Sequence, residues 1–198
     1  MSLLDASKSD PNHGGPSFSL KNRMTRLAWG VCWALLAAWT PTPLHAWRRI
    51  LLNLFGAKIA PGAHVYSSVR IWHPANLEMG PYSCLGPRVD CYSMTKISIG
   101  AYAMVSQDAK LCTGTHDIED LNRQLVTKPI VIGEQAWVAA GAFVGPGVTI
   151  GTGAVLGAQG VAFKNIPDWS VYVGNPATFL KPRKSLSLGS VGARAYSR

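Results

Sequence analysis

Ile130-Val-Ile-Gly-Glu-Gln-Ala-Trp-Val-Ala-Ala-Gly-Ala-Phe-Val-Gly-Pro-Gly-Val-Thr-Ile-Gly-Thr-Gly-Ala-Val-Leu-Gly-Ala-Gln-Gly-Val161 repeats in sixes. Counting from Ile132, the stations are Val138, Val144, Ile150 and Leu156, and all are aliphatic. Gly follows four of the five directly. A small or branched residue stands four places after each: Ala136, Ala142, Val148, Ala154 and Gly160. Such a period fits neither a 3.6-residue helix nor a simple alternating strand. It marks a parallel β-helix, in which short strands and corners recur along a coil. One Gly- and Val-rich strand pair would not keep five stations in register. Upstream, Ile59, Val65, Ile71 and Leu77 form another run. Leu85 and Cys91 follow after a two-residue insertion, and Ile99, Val105 and Leu111 after a second. The expected fold is all-β: a prism of about five coils over residues 59–177, with each station inward and glycine easing the corner.

The totals suit one domain with extensions. The net charge of +9 is uneven: residues 21–58 carry +6 and no acid, residues 181–198 carry +5 and no acid, and residues 59–180 carry −1. A nucleic-acid binder would be basic along its working surface, so nucleic acid is set aside as a partner. Cys32, Cys84, Cys91 and Cys112 form no CxxC pair, read as reduced thiols, and suggest neither a disulfide framework nor a zinc site.

Residues 1–20 have the composition of a disordered segment. Residues 21–58 read as a short helical extension. Its first part, Leu27–Trp39, is an uncharged apolar block, too short to span a bilayer comfortably. The Thr-Pro-Thr-Pro after it is a poor signal-peptide cleavage site. The second part, Leu44–Phe55, places Leu44, Trp47, Leu51 and Phe55 on one stripe, with Gly56 as its C-cap. Four tryptophans beside Arg48 and Arg49 fit an interfacial membrane segment. Equally, the two helices fit a cap over the open end of the prism, and both readings can hold together. The rhythm breaks at 117–128, an extruded polar loop of the kind that carries function on solenoids. Residues 178–198 read as a basic tail, frayed from 185.

His116 is the candidate for chemistry. It stands where the repeat stops, on backbone still held by the coil. An imidazole there can take the proton of a hydroxyl attacking an acyl carbon, provided a backbone carbonyl or Asp117 fixes its tautomer. The competing reading is an ordinary surface histidine. His64 and His73 fall at mid-corner, and His13 and His45 lie outside the prism. A zinc site like that of β-helix carbonic anhydrases wants a second histidine about five residues on, where this chain has Leu121. No metal is expected.

Cys-Thr-Gly-Thr-His-Asp at 112–117, Thr-Lys-Pro-Ile-Val-Ile-Gly at 127–133, Val-Gly-Pro-Gly-Val-Thr-Ile-Gly at 144–151 and Val-Gly-Asn-Pro-Ala at 173–177 resemble the hexapeptide-repeat acyltransferases. The branch most similar is the colanic acid, or exopolysaccharide, biosynthesis acetyltransferases. The resemblance spans about residues 40–184. It implies a left-handed coil, a homotrimer with sites between prisms, acetyl-CoA as co-substrate and a carbohydrate hydroxyl as acceptor. His116 matches the general base of the family, acting by direct transfer. Asp90 and Tyr92 match acceptor-contacting positions, and Asp117 joins them. Trp137, Ala139, Ala140, Gly157 and Ala158 match the lining of the CoA arm, with a backbone N–H near Ala139 or Ala140 facing the oxyanion. Lys164, Lys181 and Arg183 match the basic end that meets CoA phosphates. Phe163 departs from the family pattern at the adenine end of this groove, and Gln159 departs from it within the groove.

The resulting expectation is an O-acetyltransferase of exopolysaccharide biosynthesis. It would be cytoplasmic, at the inner face of the membrane if residues 21–58 make peripheral contact. A serine or other small-molecule acetyltransferase is the alternative enzyme. A catalytically silent trimeric scaffold is the alternative without chemistry.

Overall fold

Each six-residue unit folds as a two- or three-residue strand and a corner, and three units close one turn of a triangular prism. This architecture comes from a computed structural model that describes residues 3–9 and 15–185. The first face stacks β1 (Lys58–Ile59), β4 (Leu77–Met79), β7 (Ile97–Ile99), β12 (Ile130–Ile132) and β15 (Thr149–Ile150). The second stacks β2 (His64–Val65), β5 (Cys84–Leu85), β8 (Met104–Val105), β13 (Trp137–Val138), β16 (Val155–Leu156) and β18 (Ser170–Val173), with β19 (Thr178–Pro182) antiparallel at its end. The third stacks β3 (Arg70–Ile71), β6 (Asp90–Tyr92), β9 (Lys110–Cys112), β14 (Phe143–Val144) and β17 (Val161–Ala162). Five coils are complete, and Ile166, bridged to Ile150, begins a sixth that β18 continues. The fold is the expected left-handed parallel β-helix.

The stations fill the bore. Val65, Leu85, Val105, Val138 and Leu156 are fully buried, as are Cys91, Leu111 and Val144. Burying one such aliphatic chain contributes roughly 1.5–3 kcal/mol, so the stack dominates stability. One station moves. The inward column of the first face is Ile59, Met79, Ile99, Ile132 and Ile150. The sequence count puts Leu77 there, but the two extra residues fall earlier, around the 3-10 turn Pro74–Asn76. Leu77 instead starts a second buried column with Ile97 and Ile130.

The corners have two requirements. Residues three places after a station turn with left-handed φ, including Tyr82, Tyr102 and Gln135. The glycines directly after the stations serve closeness rather than turning. A Cβ on Gly100 would stand 2.6 Å from the Glu134 nitrogen, and one on Gly133 2.6 Å from that of Thr152, so the next coil passes where a side chain would be.

The N-terminal helices cap the first coil. They are α2 (Leu20–Leu36) and α3 (His45–Leu54), preceded by one helical turn, α1 (Ala6–Ser9). The Trp29 indole donates to the Ile71 carbonyl at 2.8 Å and that of Trp33 to Ser67 at 3.2 Å. Trp29, Leu52 and Phe55 join the core of the prism. The buried face of α3 is Arg48, Leu51 and Leu52, whereas Leu44 and Trp47, read as part of its apolar stripe, stay exposed. Arg48, read as interfacial, is wholly buried. Its guanidinium donates to the carbonyls of Val65, Pro41 and Thr42 and to the Thr40 hydroxyl. Gly56 ends α3 at φ +88°, as expected of a C-cap. Among the described residues, no helix is long and apolar enough to cross a membrane.

Where composition suggests disorder, Leu3–Ser9 make ordered contacts: the Ala6 N–H donates to Gln124 Oε1 at 2.7 Å, and Gln124 Nε2 donates to the Leu4 carbonyl. Residues 178–182, read as tail, form β19. The fraying expected from 185 falls almost wholly outside the described residues. Of the four unpaired cysteines only Cys91 is fully buried.

Candidate active site

The coil opens once, between the third and first faces. Thr113 closes β9 by donating its hydroxyl to the Tyr92 carbonyl at 2.9 Å. The chain then leaves as an antiparallel hairpin, β10 (Gly114–His116) against β11 (Leu125–Thr127), with His116 opposite Leu125. It rejoins the prism when the Ile130 N–H meets the Lys96 carbonyl.

Two aspartates shape the hairpin tip. Asp117 accepts from the Glu119 N–H at 3.0 Å, and Asp120 accepts from the N–H groups of Asn122 and Gln124, both at 3.0 Å. Arg123 consequently sits at φ +50°, with its carbonyl 2.7 Å from His116 Nδ1. A carbonyl can only accept, so the neutral ring carries its proton on Nδ1 and its lone pair on Nε2. Of the two orienters considered from sequence, the backbone carbonyl holds the imidazole, while Asp117 shapes the loop.

Asp90 and Tyr92 line a cavity of about 380 Å³ between α2 and the third face. Three tryptophans, Trp29, Trp33 and Trp72, line it as well. The Arg26 guanidinium lies 4.2 Å from the Trp72 ring centroid and donates to Asn22 at 3.0 Å. Asp90 stands 3.8 Å from Arg70. Burial pushes the Tyr92 phenol above its ordinary value, so the hydroxyl stays protonated and can donate. Arg26 and Trp72 were not singled out in the sequence. Their signal was weak, because Arg26 reads as part of a basic helix and Trp72 falls in a corner.

The small-residue positions form a ledge along a different corner, between the second and third faces. Trp137 is exposed and donates its indole N–H to the Ser106 hydroxyl at 2.9 Å. Ala139, Ala140, Gly157 and Ala158 follow on adjacent coils. The Ala139 N–H donates to the Leu156 carbonyl at 2.9 Å and is engaged, which removes it as an oxyanion donor. The Ala140 and Ala158 N–H groups have no partner among the described residues. Both stand two places after a station. At other corners that place holds Pro61, Pro81, Pro87 and Pro146, residues without an N–H. The prolines at this place, spread over all three corners, are the sequence signal that the coil does not need an N–H there.

Within one chain the hairpin and the ledge lie on different corners. Among the described residues, no group of three or more His, Cys, Asp or Glu side chains could hold a metal ion.

No protein-family model matches the chain. It is 43% identical over 155 residues to the putative colanic acid biosynthesis acetyltransferase WcaF of Escherichia coli K12, covering 78% of this chain and 85% of that protein. The match to the Shigella flexneri protein of the same name has the same extent. The chain belongs to the hexapeptide-repeat acetyltransferases. It is an acyltransferase. The fold is shared with a maltose O-acetyltransferase from Clostridium difficile 630, at TM-score 0.74 and 24% identity over 84% of this chain and 90% of that one. It is shared also with a galactoside acetyltransferase solved with coenzyme A, at TM-score 0.77 and 19% identity over 91% and 92%.

The three basic residues matched to CoA phosphates in this acetyltransferase do not converge. The Arg183 guanidinium donates to the carbonyls of Gln135 and Gly153, at 3.1 and 2.8 Å, on the corner between the first and second faces. Lys181 lies on β19, and Lys164 follows β17 at the corner between the third and first faces. Phe163 is exposed and packs on Phe143 at 5.7 Å, covering Gly145. Gln159 turns its corner at φ +55°.

Proposed function

We propose that this protein is an acetyl-CoA-dependent O-acetyltransferase that modifies a carbohydrate hydroxyl in exopolysaccharide biosynthesis, with His116 as general base. The observation that carries this reading is the 2.7 Å contact of His116 Nδ1 with the Arg123 carbonyl, which leaves Nε2 ready to accept a proton. Bound acetyl-CoA supplies an acyl carbon activated as a thioester. Nε2 takes the acceptor proton as the hydroxyl oxygen bonds to that carbon. The Ala140 N–H donates to the carbonyl oxygen as it gains charge. When the carbon–sulfur bond breaks, the imidazolium returns the proton to the departing thiolate. No covalent acyl-enzyme is required.

The ledge fits a pantetheine arm: at Ala139, Ala140, Gly157 and Ala158 its side chains are methyl or hydrogen, and the Ala158 N–H is available to an amide carbonyl. Asp90 and Tyr92, in a cavity that three tryptophans also line, fit a sugar, whose hydroxyls take hydrogen bonds and whose ring faces stack on tryptophan. The identity to proteins named for colanic acid biosynthesis supports a polysaccharide building block as acceptor, and the coenzyme supports a cytoplasmic reaction. The separation of hairpin and ledge supports a homotrimer, in which each site takes its base from one subunit and its ledge from the next.

The test is thiol release from acetyl-CoA across a panel of mono- and oligosaccharides. His116→Ala should lower kcat by about 10²–10⁴-fold and leave CoA affinity unchanged by calorimetry. Near-normal turnover in the variant would remove His116 as base, and no glycan dependence would remove the acceptor class.

A further inference from the structure

α2 has two apolar faces, and the cap uses one of them. Trp29, Trp33 and Ala37 face the prism. Opposite, Leu20, Met24, Leu27, Val31 and Leu35 recur every three or four residues along the helix, and all are exposed, from 51% at Val31 to 69% at Leu20. At 1.5 Å per residue this stripe runs roughly 25 Å. It continues onto the outer side of α3. The Trp47 indole donates to the Leu36 carbonyl at 2.7 Å, which seats the exposed Trp47, Ile50 and Leu54 beside the end of α2. Trp39, 72% exposed, stands between the helices with its indole on the Leu35 carbonyl. A monomeric soluble surface does not ordinarily carry an apolar patch of this extent.

We propose that this face docks in the plane of an anionic lipid bilayer. The charge around it selects the occupant. Lys21 and Arg23 are exposed on the margins of the stripe, and Arg23 and Arg26 edge a shallow hollow with Leu20, Met24 and Leu27. Residues 21–58 contain no aspartate or glutamate. A second copy meeting this face through the same face would bring cation against cation with no carboxylate between them. An anionic headgroup layer complements the margin while its acyl boundary takes the stripe. Two exposed tryptophans near the helix junction suit the same interface. The inner side of α2 walls the cavity that holds Asp90 and Tyr92, so docking holds that cavity beside the membrane. The inference does not depend on the reaction proposed above.

The test is co-sedimentation of the full-length protein with vesicles of phosphatidylcholine alone or phosphatidylcholine with phosphatidylglycerol at 3:1. The protein should pellet with the anionic vesicles and much less with the neutral ones, and binding should weaken in high salt. Leu27→Glu/Val31→Glu should lower the anionic-vesicle affinity at least tenfold, with thermal midpoint, assembly size and acetyl transfer to a soluble acceptor unchanged. Brominated phosphatidylglycerol should quench part of the tryptophan emission, and Trp39→Phe should reduce that part, a readout that needs no disruptive substitution. Failure to bind either vesicle, wild-type binding by the double variant, or absence of quenching overturns the proposal. A changed assembly size by light scattering in the double variant also overturns it, by making the face a subunit contact.

Discussion

The Ala140 N–H and His116 Nε2 are the two groups whose chemistry can be separated cleanly by substitution. Proline already stands at the equivalent corner place in Pro61, Pro81, Pro87 and Pro146, so the corner tolerates a fixed φ. Ala140→Pro should therefore fold with a nearly unchanged thermal midpoint, yet lose about 10²–10³-fold in kcat, as expected for removal of one oxyanion donor. Ala158→Pro tests the matching donor on the next coil, where the loss should appear in KM for acetyl-CoA. Steady-state kinetics with a responsive glycan distinguishes these outcomes. His116 as the candidate was legible because a histidine closed the repeat. Its orienter was not, since Arg123 contributes a main-chain oxygen and side-chain identity does not signal that. Ala139 looked as good a donor as Ala140 until the coil-to-coil ladder claimed its N–H.

At the level of elements, the cap formed by α2 and α3 should be the acid-sensitive part of the fold. Burial pushes His45 below the ordinary histidine value of 6.5, reinforced by nearby His64 and Arg48 and opposed by its contact with the Val65 carbonyl. Burial does the same to His73, with Arg26 adding to it. A neutral histidine in the fold that protonates more readily when unfolded makes the unfolded chain bind more protons below 6.5. Stability is thus retained above pH 6.5 and lost as pH falls below it toward the lowered folded values. The thermal midpoint should fall between about pH 7.5 and 5.5, and His45→Gln/His73→Gln should flatten the profile in calorimetric scans. The strands of the prism were legible because period six survives both insertions. The exchange of Met79 for Leu77 was hidden because both residues are apolar and lie on one strand two places apart, so each points inward. The burial of Arg48 was hidden for a different reason. Its partners are main-chain oxygens of Pro41, Thr42 and Val65, and a charge count reads it as surface.

For the whole molecule, the proposal that each site joins the hairpin of one subunit to the ledge of the next is open to a direct test. Neither His116→Ala nor Ala140→Pro subunits should be active alone. If trimers are reassembled from an equal mixture of the two, about a quarter of the sites combine an intact base with an intact ledge from the neighbour. Activity should return to that level in an assay after mixed refolding or co-expression. A mixture as silent as its components would place base and ledge in one chain. The hairpin has a further consequence. Ile97 pairs with Ile130 and Ile99 with Ile132 as though the residues between the third and fourth coils were absent. The ladder counts coils, not residues, and resumes in phase however long the detour is. Selection can therefore lengthen, shorten or replace the segment that carries His116 without renegotiating the core. A single rigid prism becomes a mount on which recognition evolves separately from folding.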